Sequence, residues 1–156
     1  MQPRLNAAQL DPDAYRAMQG LEQYLATRFE RERSLLKLVK LRASQMNGCA
    51  YCIDMHTKDA RANGETEQRL YALTAWREAP FYSERAALAW TEALTFVSER
   101  HAPDEIYQQT RTQFTEPEIV ALTMAIVAIN AWNRLAIGFR AVPGDYQPKV
   151  KVAQQE

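Results

Sequence analysis

Hydrophobic residues are densest at positions 119–132, where they fall on nearly every face of the helix that their spacing predicts. A second apolar cluster occupies residues 35–41 and is followed by Asn47-Gly48, a pair that commonly interrupts a helix. No stretch shows the strict alternation of polar and apolar residues that is typical of a half-buried strand. The pattern therefore predicts an all-α fold, a single-domain helical bundle.

Helix-capping residues indicate where the predicted helices begin. Asp11-Pro12 and Ser83-Glu84 are typical starts, and the segment from Thr115 to Glu118 has the form of a capping box. We predict about seven helices joined by short connections. Their expected spans are residues 12–29, 31–46, 49–63, 66–77, 84–100, 103–113 and 116–140.

The length and composition favour one folded domain. The chain has 156 residues, of which 47% are hydrophobic, and this is enough for a single compact core. We predict that the domain spans residues 1–141, with its central part at about 30–100 around the two cysteines. Residues 142–156, "VPGDYQPKVKVAQQE", are expected to form an extended tail, because proline, glycine and polar residues replace the helical pattern there.

The distribution of charge argues against several classes of partner. Nineteen basic and nineteen acidic residues balance, and no long block of like charge occurs, so neither nucleic acid nor a membrane surface is an expected partner. The longest uncharged run, residues 119–133, is shorter than the ~20 residues that a bilayer span requires. The N-terminal sequence lacks the apolar run of a secretory signal, so we expect a cytoplasmic protein with reduced cysteines.

The apolar helix at 119–132 also bears on assembly. A small monomer has little room to bury a helix that is hydrophobic on all sides. We therefore expect a homo-oligomer. The alternative is that this helix lies at the centre of one domain.

The segment "NGCAYCIDMH", residues 47–56, contains both cysteines and one of the two histidines of the chain. On a helix that starts near Cys49, with about 100° of rotation per residue, Cys52 lies about 60° from Cys49 and His56 falls between them. Three reactive side chains are therefore expected on one helical face. Two thiols at this spacing can form a disulfide, and the start of a helix favours the thiolate.

The two cysteines could divide the chemistry in either of two ways. The helix terminus favours Cys49 as the acidic thiol, whereas His56 is four residues after Cys52 and is placed to accept its proton. We predict that Cys52 attacks a peroxide oxygen to give a sulfenic acid and that Cys49 condenses with it to a disulfide. An external dithiol would then restore both thiols.

A metal site is one alternative for these residues. Two cysteines and a histidine are part of a zinc ligand set, but the fourth ligand would have to be water, the distant His101, or a carboxylate such as Asp54 or Asp59. An inert pair of buried cysteines is another alternative. We predict neither a metal nor a cofactor.

The sequence around the cysteines, "LVKLRASQMNGCAYCIDMHTKDARANGE", resembles the core of the alkylhydroperoxidase D (AhpD)-like proteins of the carboxymuconolactone decarboxylase superfamily. The segments "ERAALAWTEALT" and "NAWNRLAIGFRAVPG" are similar to later parts of the same subgroup, so the resemblance covers roughly residues 30–145. It implies an all-helical fold that assembles as trimers or hexamers. It also implies reduction of organic or hydrogen peroxide with a dithiol reductant, such as a lipoylated protein, a thioredoxin-like protein or a peroxiredoxin. Cys52 would attack the peroxide, Cys49 would resolve the intermediate, and His56 would belong to the proton relay.

One member of the family's proton relay differs in this chain. The usual glutamate, twelve residues before the first cysteine, is replaced by Lys37, which cannot accept a proton while it is charged. Glu92 and, after it, Glu84 are the candidates to replace that glutamate, because they lie near one another on a predicted helical face. Solvated surface carboxylates are the alternative interpretation of both.

Several aromatic and sulfur-containing side chains could form a pocket for an organic peroxide beside the thiols, or could belong to the core. They are Tyr51, Met55, Trp76, Phe81 and Tyr82. Two other functions also stay open. One is a redox-sensing module whose cysteine pair changes state without turnover, and the other is a cofactor-free decarboxylase or isomerase with His56 as its base.

Overall fold

The computed structural model describes residues 2–30 and 32–148 of the chain. These residues form nine α-helices and one 3₁₀ turn, and they include no β-strand, which confirms the prediction of an all-α fold. The helices are α1 (Ala7–Leu10), α2 (Pro12–Arg28), α3 (Arg33–Asn47), α4 (Ala50–Ala62), α5 (Glu67–Ala72), α6 (Arg85–Thr95), α7 (Val97–Arg100), α8 (Asp104–Arg111) and α9 (Glu116–Phe139). The 3₁₀ turn, Leu73–Ala75, follows α5 directly.

Most of the predicted helices are present with similar bounds. The helices expected at 12–29, 49–63, 103–113 and 116–140 are observed as α2, α4, α8 and α9. The helix expected at 31–46 is observed as α3, and its expected first residue, 31, lies outside the described residues.

Two of the expected helices are divided, and one helix was not predicted. The helix expected at 66–77 consists of α5 and the 3₁₀ turn, which is a common way for a short helix to end. The helix expected at 84–100 is interrupted at Phe96, whose backbone leaves the helical region, so α6 and α7 are separate. Helix α1 was missed, although Asn6 caps it by accepting a hydrogen bond from the backbone N–H of Gln9.

Two of the three predicted helix starts are confirmed together with their side-chain caps. The carboxylate of Asp11 accepts a hydrogen bond from the backbone N–H of Ala14 at 3.0 Å, and so caps α2. Thr115 and Glu118 form the predicted capping box at the start of α9. These caps satisfy N–H groups that have no partner within their own helices.

The third predicted start, Ser83-Glu84, is confirmed in position but has no side-chain cap. Glu84 is the N-cap residue of α6, and its side chain makes no capping hydrogen bond. The physical reason is a competing partner, because the carboxylate of Glu84 binds the guanidinium of Arg69 at 2.8 Å. A charge-assisted contact of this kind is stronger than a neutral one.

Helix α3 lies between two hydrophobic clusters of the core. Leu35, Leu36 and Val39 pack in one cluster with residues of α2, α6 and α9. Leu38 and Leu41 pack in the other, with residues of α4, α5 and α6. Burial of each such side chain stabilises the fold by about 1.5–3 kcal/mol. Because it is packed on both sides, α3 is a fixed support for the turn and helix that follow it.

Helix α9 is a core helix with one exposed stripe. Ile126 and Ile129 are buried, whereas Val120 and Val127 are 59% and 50% exposed. Length and composition alone would allow α9 to cross a membrane, but half of its most apolar window is buried inside the protein, as in the core helix of a soluble protein. The expected self-association through this helix stays a prediction.

The described part of the expected tail is extended and is tied to α4. Residues 142–148 have no regular secondary structure. The Nζ atom of Lys58 donates hydrogen bonds to the backbone carbonyl oxygens of Gly144 and Tyr146. We call residues 142–146 the C-terminal strap. Residue 1 of the expected domain and residues 149–156 of the expected tail lie outside the described residues, and the division of the chain after residue 141 stays a prediction.

Candidate active site

The two cysteines follow a sharp turn between α3 and α4. Gly48 ends α3 with a φ of 66°, in the left-handed region that glycine adopts at low cost. The backbone N–H of Cys49 donates to the carbonyl oxygen of Ser44 at 3.0 Å, which closes the turn. Cys49 is the N-cap residue of α4, and this confirms the prediction that it opens a new helix.

Cys49 and Cys52 are free thiols that are only 1% and 2% exposed. The backbone N–H of Cys52 donates a hydrogen bond to the Sγ atom of Cys49 at 3.4 Å. A hydrogen bond from the Cys52 side chain, together with weaker ones from the backbone and from Asn133, outweighs burial and lowers the pKa of Cys49 to about 7. The same thiol contact, together with burial, raises the pKa of Cys52. In the resting pair Cys49 is therefore the more acidic thiol.

Cys52 and His56 line the same cavity, which has a volume of about 1010 Å³. Tyr51 and Met55, from the same helix, also line it. Cys49 does not belong to the wall of this cavity. Other residues of the wall include Glu22, Lys37, Lys40, Asp59, Trp132 and Tyr146. The structure thus brings a sulfur atom and an imidazole ring to one space that is large enough for an organic molecule.

His56 is buried and neutral. Its ring is 5% exposed, and its Nδ1 atom has no hydrogen-bond partner among the described residues. Burial lowers the pKa of His56 well below its usual value, and the positive charges of Lys40 and Lys37 lower it further. An uncharged imidazole with a free ring nitrogen is able to accept a proton from a neighbouring group.

Each lysine of the cavity wall is paired with a carboxylate from another helix. Lys37 binds Asp59 at 2.7 Å, and the buried Lys40 binds Glu22. The other carboxylate oxygen of Glu22 accepts a hydrogen bond from Nε1 of Trp132 at 3.0 Å. Burial lowers the pKa of Lys40, although the charge of Glu22 opposes this effect. These contacts connect α2, α3, α4 and α9 around the cavity.

Glu92, the first carboxylate expected from the sequence, lies in a different cluster. Its Oε1 atom accepts hydrogen bonds from Trp76 and from Arg42, both at 2.8 Å, and its Oε2 atom binds Arg77. Burial would raise the pKa of Glu92, but these hydrogen bonds and arginine charges more than offset it, so the pKa is lowered. Glu92 is not part of the wall that Cys52 lines.

Glu84, the second expected carboxylate, binds Arg69 and is also absent from the cavity wall. The carboxylates that the structure places on this wall are Glu22 and Asp59. Asp59 lies three residues after His56, so helical spacing could have identified it as a residue of the same face. Glu22 comes from the separate helix α2, and no local pattern connects it with the cysteines.

The five side chains considered for a peroxide pocket are divided between the cavity and the core. Tyr51 and Met55 line the cavity. Trp76 and Tyr82 are buried in the cluster beside α3, and Phe81 packs against it. The aromatic residues after α5 therefore support the fold rather than the cavity.

A fully buried amide connects α9 to the cysteine turn. Asn133 is 0% exposed, accepts a hydrogen bond from Nδ2 of Asn47 at 2.9 Å, and donates one to Oγ of Ser44 at 3.1 Å. Hydrogen bonding from Asn133 also lowers the pKa of both Cys49 and Cys52. The amide is therefore oriented by α3 and acts on the thiols.

Within the part of the chain that the structure describes, no group of three or more His, Cys, Asp or Glu side chains could hold a metal ion. His101 lies at the end of α7, as its C-cap residue. Asp54 and Asp59, the carboxylates considered as ligands, bind Lys58 and Lys37.

Comparisons with known sequences point to one family. The sequence model of the Carboxymuconolactone decarboxylase family matches residues 12–93, more than half of the chain. The uncharacterized protein YdfG of Bacillus subtilis is 44% identical over 139 residues, which are 88% of this chain and 94% of that protein. The match to YdfG therefore extends well beyond the segment around the cysteines.

Comparisons with solved structures agree. The protein ATU0492 of Agrobacterium tumefaciens, which is of unknown function and has been provisionally assigned to antioxidant defence as AhpD, is 43% identical. It superposes with a TM-score of 0.88 over 93% of this chain and 100% of its own. An uncharacterized peroxidase-related protein of Ralstonia eutropha JMP134 with an AhpD core is 17% identical, with a TM-score of 0.76 over 89% of this chain and 75% of its own. At that identity the second likeness concerns the fold alone.

Proposed function

The chain belongs to the carboxymuconolactone decarboxylase family, as an AhpD-like member, and on that premise we propose that it is a thiol-dependent peroxidase for organic or hydrogen peroxide. One observation carries the proposal. Cys52 and His56 line one cavity, and the backbone of Cys52 is hydrogen-bonded to the sulfur of Cys49. A peroxide in the cavity would meet a nucleophile and a base together, with a resolving thiol next to them. The provisional assignment of the Agrobacterium protein to antioxidant defence supports the same class of activity.

The proposed reaction begins at Cys52, because this sulfur lies on the cavity wall and Cys49 does not. The Cys52 thiolate attacks the outer oxygen of the hydroperoxide, an S–O bond forms, and the O–O bond breaks. The products are a sulfenic acid on Cys52 and an alkoxide, which becomes an alcohol when it takes up one proton. Cys49 then attacks the oxidised sulfur, water leaves, and a disulfide forms.

His56 is the proposed carrier of the proton. The raised pKa of Cys52 means that its thiol has to lose a proton before it can attack. The neutral ring of His56 accepts that proton and returns it to the alkoxide, so the histidine ends the step as it began. The lowered pKa of His56 keeps its resting ring uncharged, and the imidazolium that forms protonates the leaving oxygen.

Glu22 and Asp59 are the carboxylates that we assign to this relay, in place of the two glutamates expected from the sequence. Glu22 binds Lys40, and Asp59 binds Lys37, and both lysines lie on the cavity wall. We assign the two carboxylates a positioning role, because they hold the two lysines whose charges, after burial, lower the pKa of His56 and keep its resting ring uncharged.

Turnover requires an external dithiol that reduces the Cys49–Cys52 disulfide by thiol–disulfide exchange. The proposed reductants are those that AhpD-like proteins use, a lipoylated protein, a thioredoxin-like protein or a partner peroxiredoxin. We further propose that the protein works in the cytoplasm, where such reductants are maintained, and as a homo-oligomer, a trimer or a hexamer.

The test is peroxide consumption with a dithiol reductant. Hydrogen peroxide and cumene hydroperoxide should be reduced by the unaltered protein, and the activity should vanish in both Cys52→Ser and Cys49→Ser. Tyr71→Phe is a matched control, because Tyr71 is 73% exposed and lies outside the cavity. After one equivalent of peroxide, the peptide with residues 47–58 should lose two hydrogens by mass. Activity that survives both cysteine substitutions would refute the proposal.

A second candidate is a cofactor-free decarboxylase or isomerase with His56 as its base. It is favoured by the buried, unpartnered Nδ1 atom of His56 and by the family itself. This activity would survive alkylation of both thiols and would be lost in His56→Asn, whereas a peroxidase would be inactivated by alkylation. The same alkylated sample therefore separates the two functions.

A third candidate is a redox-sensing module. It is favoured by the near-complete burial of both sulfurs. In that case one equivalent of peroxide per chain would be consumed, and a dithiol would not restore the thiols at a useful rate. Repeated turnover with dithiol would exclude it.

A further inference from the structure

The C-terminal strap crosses the helix that carries the cysteines and reaches the same cavity. Tyr146 lines the cavity together with Cys52 and His56. The strap therefore forms part of the wall of the cavity that Cys52 lines. None of the strap residues takes part in the proposed chemistry.

The strap is anchored by two charged residues of α4 that lie one helical turn apart. The Nζ atom of Lys58 donates to the carbonyl oxygen of Gly144 at 2.7 Å and to that of Tyr146 at 3.1 Å. The carboxylate of Asp54 binds Lys58 at 3.0 Å and accepts a hydrogen bond from the backbone N–H of Gly144 at 3.1 Å. Lys58 and Asp54 thus hold both the donor and the acceptor groups of the strap backbone.

Gly144 is the residue that allows this anchorage. Its φ of 116° is a conformation that residues with a side chain rarely adopt. The strap can therefore turn at this position and present its N–H to Asp54. The turn directs the following residues, and Tyr146 with them, towards α4 and the cavity.

Tyr146 is fixed at its tip as well as through its backbone. Its hydroxyl donates to Oδ1 of Asp59 at 2.7 Å, while Oδ2 of the same carboxylate binds Lys37 at 2.7 Å. The side chain of Tyr146 is thereby fixed to α4 at the cavity wall. Burial and the contact with Asp59 raise the pKa of Tyr146 to about 12, so the hydroxyl stays protonated and keeps donating at neutral pH.

A segment near the start of the chain also lines the cavity. Residues between Pro3 and Ala8 line it, and Arg4 holds this segment by donating to the carbonyl oxygens of Gly138 and Phe139 at 2.9 and 3.0 Å. Two short segments, both fixed by hydrogen bonds, therefore form part of the cavity wall near Cys52, which is 2% exposed.

We propose that Tyr146 is a specificity-determining residue, which limits by size the reagents that reach Cys52. Compact peroxides pass the ring and its strap readily, and bulky ones such as cumene hydroperoxide pass more slowly. The statement about peroxides rests on the proposed function, whereas the limit on access to Cys52 does not.

The test measures access to Cys52 without requiring peroxidase activity. In the Cys49→Ser protein, Cys52 is the remaining thiol. Its rate of alkylation is measured with a compact reagent, iodoacetamide, and with a bulky one, N-(1-pyrenyl)maleimide. Both reagents react with the thiolate, so a change in the pKa of Cys52 affects both rates. The ratio of the two rates, compared between variants, therefore reports how the size of the reagent limits its access to Cys52.

Tyr146→Ala should raise the ratio of the bulky to the compact rate about fivefold or more, since it removes both the ring and a hydrogen bond of the strap. Tyr146→Phe keeps the ring and loses only the bond to Asp59, so its ratio should rise less. Lys58→Met, which releases the strap backbone, should also raise the ratio. Tyr71→Ala, an exposed tyrosine outside the cavity, should leave it unchanged.

Two results would overturn the proposal: a ratio that stays unchanged in a folded Tyr146→Ala protein, whether or not both rates rise equally, or a Tyr146→Phe protein as permissive as Tyr146→Ala. A second arm compares turnover of hydrogen peroxide and cumene hydroperoxide, where Tyr146→Ala should favour the bulkier substrate. An unaltered protein that reduces neither peroxide would end the proposed function, and the alkylation ratio would still decide the role of Tyr146.

Discussion

The backbone N–H of Cys52 donates a hydrogen bond to the Sγ atom of Cys49 at 3.4 Å, and the Cys52 thiol donates to the same sulfur. The first cysteine is thus stabilised as a thiolate by the second, while the second faces the cavity. Acidity and access are therefore divided between two sulfurs. Each of the two opposing expectations from the sequence has a counterpart in this division, since the lowered pKa belongs to Cys49 and Cys52 lines the cavity.

The first prediction concerns the acidity of Cys49. Cys52→Ala removes the thiol that donates to Cys49, so the pKa of Cys49 should rise from about 7 towards the ordinary value of 9.0. Cys52→Ser keeps an O–H donor at the same place, and its Cys49 should stay closer to the lower value. The ultraviolet absorbance of the thiolate, followed against pH, gives both numbers. Equal pKa values in the two variants would show that the side chain of Cys52 has no such effect.

The contacts within the cysteine segment could be predicted from the sequence because they are local. Cys49 caps a helix, and Cys52 and His56 follow at helical spacing, so backbone geometry alone brings them near one another. Glu22 and Tyr146 could not be found in this way. They reach the cavity from α2 and from the strap, and such placements depend on how distant elements pack.

The expectation for Glu92 failed to anticipate its partners for the same reason. The amphipathic pattern of α6 identified a carboxylate on one face, but did not indicate which cations lie opposite. Arg42 of α3 and Arg77, which follows the 3₁₀ turn, surround it in the structure. A helix pattern reports which side of a helix is polar, and only the tertiary fold decides what that side contacts.

The second prediction follows from those contacts. Glu92→Gln should lower the free energy of unfolding by about 1–3 kcal/mol, because it removes the charge that holds Arg42 and Trp76 in a cluster where Glu92 is only 15% exposed. Glu30→Gln is the control, since Glu30 pairs with Arg33 at 4.0 Å and is 73% exposed. It should change stability by less than about 0.5 kcal/mol. Urea denaturation of both variants checks the difference, and equal losses would contradict it.

The third prediction concerns acid stability. The pKa of His56 in the folded protein lies well below 6.5, so as the pH falls the unfolded chain takes up a proton on this residue before the folded one does. The contribution of His56 to the free energy of unfolding should therefore be present above pH 6.5. It should be lost as the pH falls below that value, by up to about 1.4 kcal/mol per pH unit. His56→Asn should flatten this dependence, because the titrating group is gone.

The second histidine of the chain provides the control for that measurement. His101 is exposed, at the C-terminal end of α7. The stability of His101→Asn, measured by urea denaturation across the same pH range, should fall on acidification as steeply as that of the unaltered protein. If the pH dependence of stability flattened in His101→Asn and persisted in His56→Asn, His101 rather than His56 would be its cause, and the prediction would be wrong.

The fourth prediction separates the structural and chemical effects of Asn133. Its amide is fully buried between Asn47 and Ser44, so Asn133→Ala should lower the free energy of unfolding by about 1–3 kcal/mol. It should also raise the pKa of Cys49, because the hydrogen bond from Asn133 helps to lower it. Urea denaturation measures the first effect and the ultraviolet absorbance of the thiolate measures the second.

The matched control for Asn133 is a neighbouring amide of the same helix. Asn130 accepts a hydrogen bond from Asn47 at 2.9 Å and donates one to Thr95 at 3.2 Å, and it is not among the main groups that shift the pKa of Cys49. Asn130→Ala should therefore cost stability and leave the titration of Cys49 in place. If the two variants shift the pKa of Cys49 equally, loosening of the whole network explains the shift. If only Asn133→Ala shifts it, the amide of Asn133 acts directly on the thiol pair.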